Sequence, residues 1–204
     1  MPPVTTVLIV INIAVFLLAE IISGSTLSTS VLVKWGGADV VLIHEGQYWR
    51  LFTAMFLHAG IRHLLNNMLL LYVLGQHLEY LLGAVKYTVL YFACGVIANI
   101  ISYRIYLEGQ QYIVAVGASS AIFAVMGALI WIIIRNKGRV RGLSLQQMIV
   151  MLVFSLYFGF VSADVSNSAH ISGLVSGFLS AIILYRKDAG EALSTGIPVP
   201  GPVC

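Results

Sequence analysis

Apolar and polar positions alternate along this chain in long blocks rather than in the short periods of a soluble domain. Six stretches are apolar enough, and about long enough, to cross a bilayer core of about 30 Å: Val4–Ile22, His63–Leu82, Tyr87–Tyr103, Ser119–Ile134, Gln147–Ser162 and Ala169–Tyr185. The third, fourth and fifth hold no Asp, Glu, Lys or Arg. Between the first two lies a long semi-polar connection, residues 23–62, whose Trp35, Tyr48, Trp49, Phe52 and Phe56 suit the membrane–water interface. The pattern predicts an all-α membrane protein, a six-transmembrane-helix bundle with a long interfacial first loop. Residues 1–187 make one membrane domain, and residues 188–204, rich in Pro and Gly, read as a disordered tail.

Composition agrees. Of 204 residues, 59% are hydrophobic and 9% charged, against about 25% charged in soluble domains. The first apolar run lacks a basic start and is long enough to span, so it is expected to stay as a helix rather than be cleaved as a signal. Cys94 and Cys204 lie in an apolar span and at the chain end, which gives no disulfide framework. A net charge of +3 is too small and too scattered for nucleic-acid binding. Its distribution speaks to orientation. Lys86, Arg135, Lys137, Arg139, Arg141, Arg186 and Lys187 collect on the side of the termini, and Lys34, Arg50, Arg62 and Arg104 on the other. The bias predicts cytoplasmic termini.

Polar groups inside spans are expensive and ask for a reason. His63 and Asn67 share one face of the second span at i,i+4. Ser119 opens the fourth span after Gly117, and His170 lies at the start of the sixth. These three helices run the same way, so the hydroxyl, the amide and both imidazoles share one layer near the outer face. His170, Gly173 and Gly177 form one glycine-lined face, and Ser120, Ala124 and Ala128 a row of small residues beside Ser119. Small residues let membrane helices approach closely, close enough for an imidazole to reach a serine hydroxyl. Polar residues that merely hold helices together are the alternative reading.

Several segments resemble the rhomboid family of intramembrane serine proteases. Residues 117–124 (GASSAIFA) are similar to the family's nucleophile motif, 169–177 (AHISGLVSG) to its histidine segment, and 58–67 (HAGIRHLLNN) to its second-helix pattern. Trp49-Arg50, Gly75 and Glu79 also fall on family positions. The resemblance implies a Ser119–His170 dyad that hydrolyses peptide bonds in or beside transmembrane segments of other proteins. It implies oxyanion stabilisation by His63, Asn67 and the Ser119 backbone N–H, with His58, Phe123, Gly117 and Gly173 in support. Trp49 and Arg50 become interface scaffold. No cofactor or metal is implied, and the partners are transmembrane substrates and the bilayer. The location suits a prokaryotic cytoplasmic membrane, with the site opening outward. Two positions depart from the family: Ser120 stands where Gly is frequent, and Phe123 where Tyr is common.

Other chemistries fit less well. His44-Glu45 begins an HExxH metal motif that ends in Tyr48, and Asp164 stands alone where an aspartyl protease needs a pair. His58, His63 and His170 could in principle hold zinc. A channel, transporter or chaperone with a polar cavity is the non-enzymatic alternative.

Overall fold

A computed structural model describes residues 2–161 and 166–186. The 188–204 tail, Lys187, Asp164 and Cys204 lie outside the described residues. The chain is mostly helical. Helix α1 (Pro3–Ser23) is followed by short helices α2 (Thr29–Lys34), α3 (Val40–His44) and α4 (Arg50–Thr53), then a 3-10 turn at Ala54–Phe56. Helices α5 (Gly60–Leu70) and α6 (Gln76–Leu82) flank a π turn at Leu71–Gly75 without a break in the helical path. Next come α7 (Ala84–Glu108), α8 (Ser119–Arg135), α9 (Leu145–Val161) and α10 (Asn167–Leu184). By length and apolar content α1, α7 and α10 can each cross a membrane; α8 and Leu145–Tyr157 of α9 are shorter apolar helices.

Helix starts fall earlier than the apolar pattern marks them. α10 begins at Asn167, two residues before the apolar run, because the Ser166 hydroxyl accepts from the Ala169 N–H at 3.2 Å and caps it. His170 therefore sits a full turn inside the helix. α5 begins at Gly60, where the N–H donates to the Thr26 hydroxyl at 3.2 Å. One start is capped by a polar residue and the other is held by a hydroxyl 34 residues away, so hydropathy passes over both.

The core is centred on α8, whose residues 120–129 are all buried. It packs most closely against α10. A Cβ added at Gly173 would meet the Ser120 carbonyl oxygen at 2.2 Å, one at Gly177 the Ala124 oxygen at 1.9 Å, and one at Gly127 the Leu174 oxygen at 2.0 Å. Backbone lies against backbone along this seam, as the rows of small residues predict, with Gly127 adding the reciprocal notch on α8. α1 is anchored differently. The Glu79 carboxylate, 3% exposed, accepts from the Val4 N–H at 2.9 Å, and from the Thr5 N–H and hydroxyl at 2.7 Å each. It satisfies the donors at the start of α1.

The first connection is built, not slack. Buried Arg50 donates to the Val33 carbonyl at 2.7 Å, the Gly37 carbonyl at 3.1 Å and Gln47 Oε1 at 2.8 Å, and its guanidinium stacks 4.6 Å from the Trp49 ring centroid. The Asn99 amide of α7 donates to the Leu51 carbonyl at 2.8 Å. Strand β1 (Ala38–Asp39) pairs antiparallel with β2 (Val114–Ala115), the segment leading into α8. Far along the chain, β3 (Arg139–Val140) and β4 (Leu143–Ser144) close a hairpin before α9.

The seam makes a stability prediction. Gly127→Ala should lower stability by about 1–3 kcal/mol, since the new methyl meets backbone that cannot turn aside. Thermal unfolding in detergent reads this out, and an unchanged midpoint would mean the two helices can separate without penalty.

Candidate active site

Ser119 is the first residue of α8. The N-cap, Ala118, offers no side-chain acceptor, so the leading N–H groups and the positive end of the helix are left uncapped beside the hydroxyl. Two tethers hold this start in place: the β1–β2 pairing, and the Gly117 N–H donating to the Ala54 carbonyl at 2.9 Å. Gly117 has φ of +125°, a conformation that side chains resist. A Cβ there would also come within 2.8 Å of His63 Nε2 and 3.5 Å of Ser119 Oγ. Glycine at 117 is thus what lets the His63 ring and the Ser119 hydroxyl face one another across the backbone.

From α10, His170 Nε2 lies 2.9 Å from Ser119 Oγ. Its ring stacks on Phe123, one turn along α8, with centroids 4.1 Å apart and planes 7° from parallel. Among the described residues, His170 Nδ1 is buried and has no hydrogen-bond partner. The stack, rather than a third polar residue, sets the ring plane here. Phe123 needs no hydroxyl to do so.

From α5, His63 presents Nε2 toward Gly117. The Ala59 N–H donates to His63 Nδ1 at 3.3 Å, which makes Nδ1 the acceptor and leaves the proton of the neutral ring on Nε2. His63 therefore carries its donor on Nε2, the atom that lies beside Gly117. Asn67, 5% exposed, donates through Nδ2 to the His63 carbonyl at 2.9 Å. That bond stays within α5 and uses one of the two amide hydrogens. His58 stands behind, edge-on to His63 with centroids 5.1 Å apart. Burial, and secondarily the neighbouring His63, push the His58 imidazole down to about 3, so it packs as a neutral ring.

These groups line one cavity of about 870 Å³. His63, Asn67, Ser119, Ser120, Phe123 and His170 are all on its wall, and Met151, Phe154 and Ser155 of α9 form part of the opposite lining. Among the described residues Ser120 Oγ is buried without a hydrogen-bond partner, while the Ser120 carbonyl presses on Gly173 in the α8–α10 seam. The adjacent hydroxyls thus differ: only Ser119 meets an imidazole. Gly117 lies beside the serine and Gly173 in the seam. Trp49 and Arg50 belong to the loop scaffold and do not line this cavity. Among the described residues no group of three His, Cys, Asp or Glu side chains is placed to hold a metal ion. Sequence reasoning missed Arg62 and Asn66, which also line the cavity. It also missed a hydroxyl cluster at the start of α10, where Ser102 Oγ lies 2.8 Å from both Ser166 and Ser168 Oγ. The polar run Ser166-Asn167-Ser168 was its only signal.

Residues 45–187 match the family model of the Rhomboid domain. The chain belongs to the rhomboid family. It is 36% identical over 189 residues to rhomboid protease GluP of Bacillus subtilis, covering 93% of this chain and 36% of that protein. Over 181 residues it is 34% identical to RHOMBOID-like protein 5 of Arabidopsis thaliana, covering 85% and 56%. Rhomboid-like protease 2 of Toxoplasma gondii is 33% identical over 166 residues, covering 77% and 55%. The chain spans between roughly a third and just over half the length of these relatives. Rhomboid membership and the apolar helices make it an integral membrane protein.

The site makes a reactivity prediction. A hydroxyl bonded to a neutral imidazole is the activated one. A fluorophosphonate should label the wild type and Ser120→Ala, and should not label Ser119→Ala. Labelling that survives loss of Ser119 but not of Ser120 would move the nucleophile by one residue.

Proposed function

We propose that this rhomboid is an intramembrane serine endopeptidase that cleaves peptide bonds in or next to transmembrane segments of other membrane proteins. The observation that carries the reading is the 2.9 Å contact between His170 Nε2 and Ser119 Oγ inside a cavity that also holds His63 and Asn67. The names of the relatives support it. A pore or chaperone has no need of a bonded serine–imidazole pair, and no observation favours that second reading.

In the proposed chemistry His170 takes the Ser119 proton at Nε2 as Oγ attacks the scissile carbonyl. The C–N bond breaks as the tetrahedral intermediate collapses and His170 returns that proton to the leaving amine. Water then attacks the acyl-serine, again giving a proton to His170, and the carboxylic acid leaves as the Ser119 hydroxyl is restored. Negative charge on the tetrahedral oxygen meets three donors: His63 Nε2–H, the Ser119 N–H at the uncapped start of α8, and the second hydrogen of the Asn67 amide. Phe123 and Gly173 hold the imidazole in plane and in reach; Gly117 and His58 seat His63.

The same proposal takes residues 1–187 as one domain with six spans. α5, the π turn and α6 together form the second span, α8 and α9 the fourth and fifth, and residues 24–59 a first loop at the interface. Termini are cytoplasmic and the cavity opens toward the extracytoplasmic side of a prokaryotic cytoplasmic membrane. No cofactor or metal takes part.

The direct test is a panel of single-span membrane proteins reconstituted with the enzyme in proteoliposomes. Wild type should release fragments cut in or beside the span, and Ser119→Ala none; equal cleavage by both would end the serine-protease reading. Asn67→Ala tests the donor assignment. Loss of one oxyanion donor should lower kcat by about 10²–10³ with KM little changed. Unchanged kcat with lowered thermal stability would leave Asn67 as helix glue. For topology, reporter fusions after Lys137 should read cytoplasmic and those between Gly36 and His44 external.

A further inference from the structure

Four cations fall on the outer side of the proposed topology, against the usual bias, and their surroundings differ. Arg50 is consumed by carbonyls of the first loop. Arg104 pairs with Glu108 at 3.6 Å on the same helix. Lys34 closes α2 and does not line the catalytic cavity. Arg62 is the exception: it lines that cavity, and among the described residues it is the only Asp, Glu, Lys or Arg on its wall. It is exposed, and among the described residues no hydrogen bond or ion pair engages it.

Its neighbours suggest what it meets. Arg62 immediately precedes His63 on α5, and Asn66 lies one turn on, at i,i+4. Asn66 is also exposed and also lines the cavity. α5 therefore carries two parallel stripes into one space. His63 and Asn67 share the cavity with Ser119; Arg62 and Asn66 lie beside them, offering a guanidinium fork and an amide. Both can donate, and a carboxylate is the planar acceptor that matches the fork in two bonds. A chain laid along this cavity to Ser119 would run past both donors, because Arg62, Asn66 and Ser119 share its wall.

We propose that Arg62, assisted by Asn66, is a specificity determinant that selects substrates with an acidic residue close to the scissile bond. This rests on the protease reading and adds the substrate class to it. Arg62 acts by binding, not on the reacting atoms, and the pair it forms stays near the cavity mouth, where an ion pair favours the charged partner by about fivefold.

The test uses the full chain as Ser119→Ala, in phosphatidylcholine nanodiscs, so that binding is read without turnover. The probes are single-span synthetic peptides identical except for Asp, Asn or Lys, placed in turn at each position flanking the outer end of the span. At one or more positions the order should be Asp tighter than Asn by about fivefold, and Asn tighter than Lys. Arg62→Gln should level Asp and Asn, and Arg62→Glu should place Lys first. The proposal is overturned if Asp and Asn bind alike at every position, or if the acidic preference survives Arg62→Glu. It is also overturned if Arg62→Glu weakens all three peptides by one common factor that changes when anionic lipid is added, because Arg62 then serves a lipid phosphate. Cleavage by the wild-type enzyme separates the two readings. Charge-ordered binding with no cleavage of any peptide removes the protease alone, and cleavage with no charge order removes the role of Arg62 alone.

Discussion

Everything at the site depends on how closely α8 and α10 approach. Gly173 lies against the Ser120 carbonyl, Gly177 against the Ala124 carbonyl and Gly127 against that of Leu174, leaving no room for a single added methyl. Lipid tails are as apolar as the helix surfaces, so hydrophobic burial does little to press membrane helices together. Contact of backbone with backbone supplies van der Waals attraction instead, and it fixes the separation in a way that longer side chains cannot. His170 shares the face of Gly173 and Gly177, and Ser119 precedes the row that begins at Ser120. The 2.9 Å approach of imidazole to hydroxyl is thus a consequence of the seam below it.

The third wall is supplied at longer range. α5 brings His63 and Asn67, and the chain between α1 and α5 brings the parts that hold the start of α8 in place. Arg50 knits that connection, Asn99 ties it to α7, and β1 grips β2 just before Gly117. The positive φ of Gly117 then lets His63 come up against the backbone next to the serine. A hydroxyl at the uncapped start of a helix, an imidazole on a stacked ring and a second imidazole with its proton turned inward are three features set by three separate elements. Each is ordinary in isolation. Their convergence on one cavity is what gives the site its chemistry.

Much of this is legible in the sequence, for identifiable reasons. Small residues at helical spacing name the faces that meet, and Ser120, Ala124, Gly173 and Gly177 do meet. Costly polar groups in apolar runs name the site, and Ser119, His170, His63 and Asn67 share its cavity. What escapes is set by contacts without a local period. Gly127 is one glycine in an apolar run until its partner carbonyl is known. The β1–β2 pair is two residues long and joins segments far apart in the chain. The helix start at Asn167 hides in a polar cap, and the one at Gly60 depends on the distant Thr26 hydroxyl. The bond from Asn67 to its own helix, at the His63 carbonyl, is invisible to any pattern, as is the difference between two adjacent serines beyond their 100° offset on a helix.

The seam, not the polar groups alone, brings the His170 imidazole to the Ser119 hydroxyl. Gly177 is remote from the hydroxyl, about 10 Å along α10 from His170 at 1.5 Å per residue, and it touches no polar group of the site. The deciding measurement is the second-order rate constant for fluorophosphonate labelling of Ser119 in Gly177→Ala, on protein shown by its thermal transition to be folded. Pushing the helices apart at Ala124 should lengthen the His170–Ser119 contact and slow labelling by about tenfold or more, the loss expected when a general base is misplaced. A folded Gly177→Ala protein that labels at the wild-type rate would contradict the account.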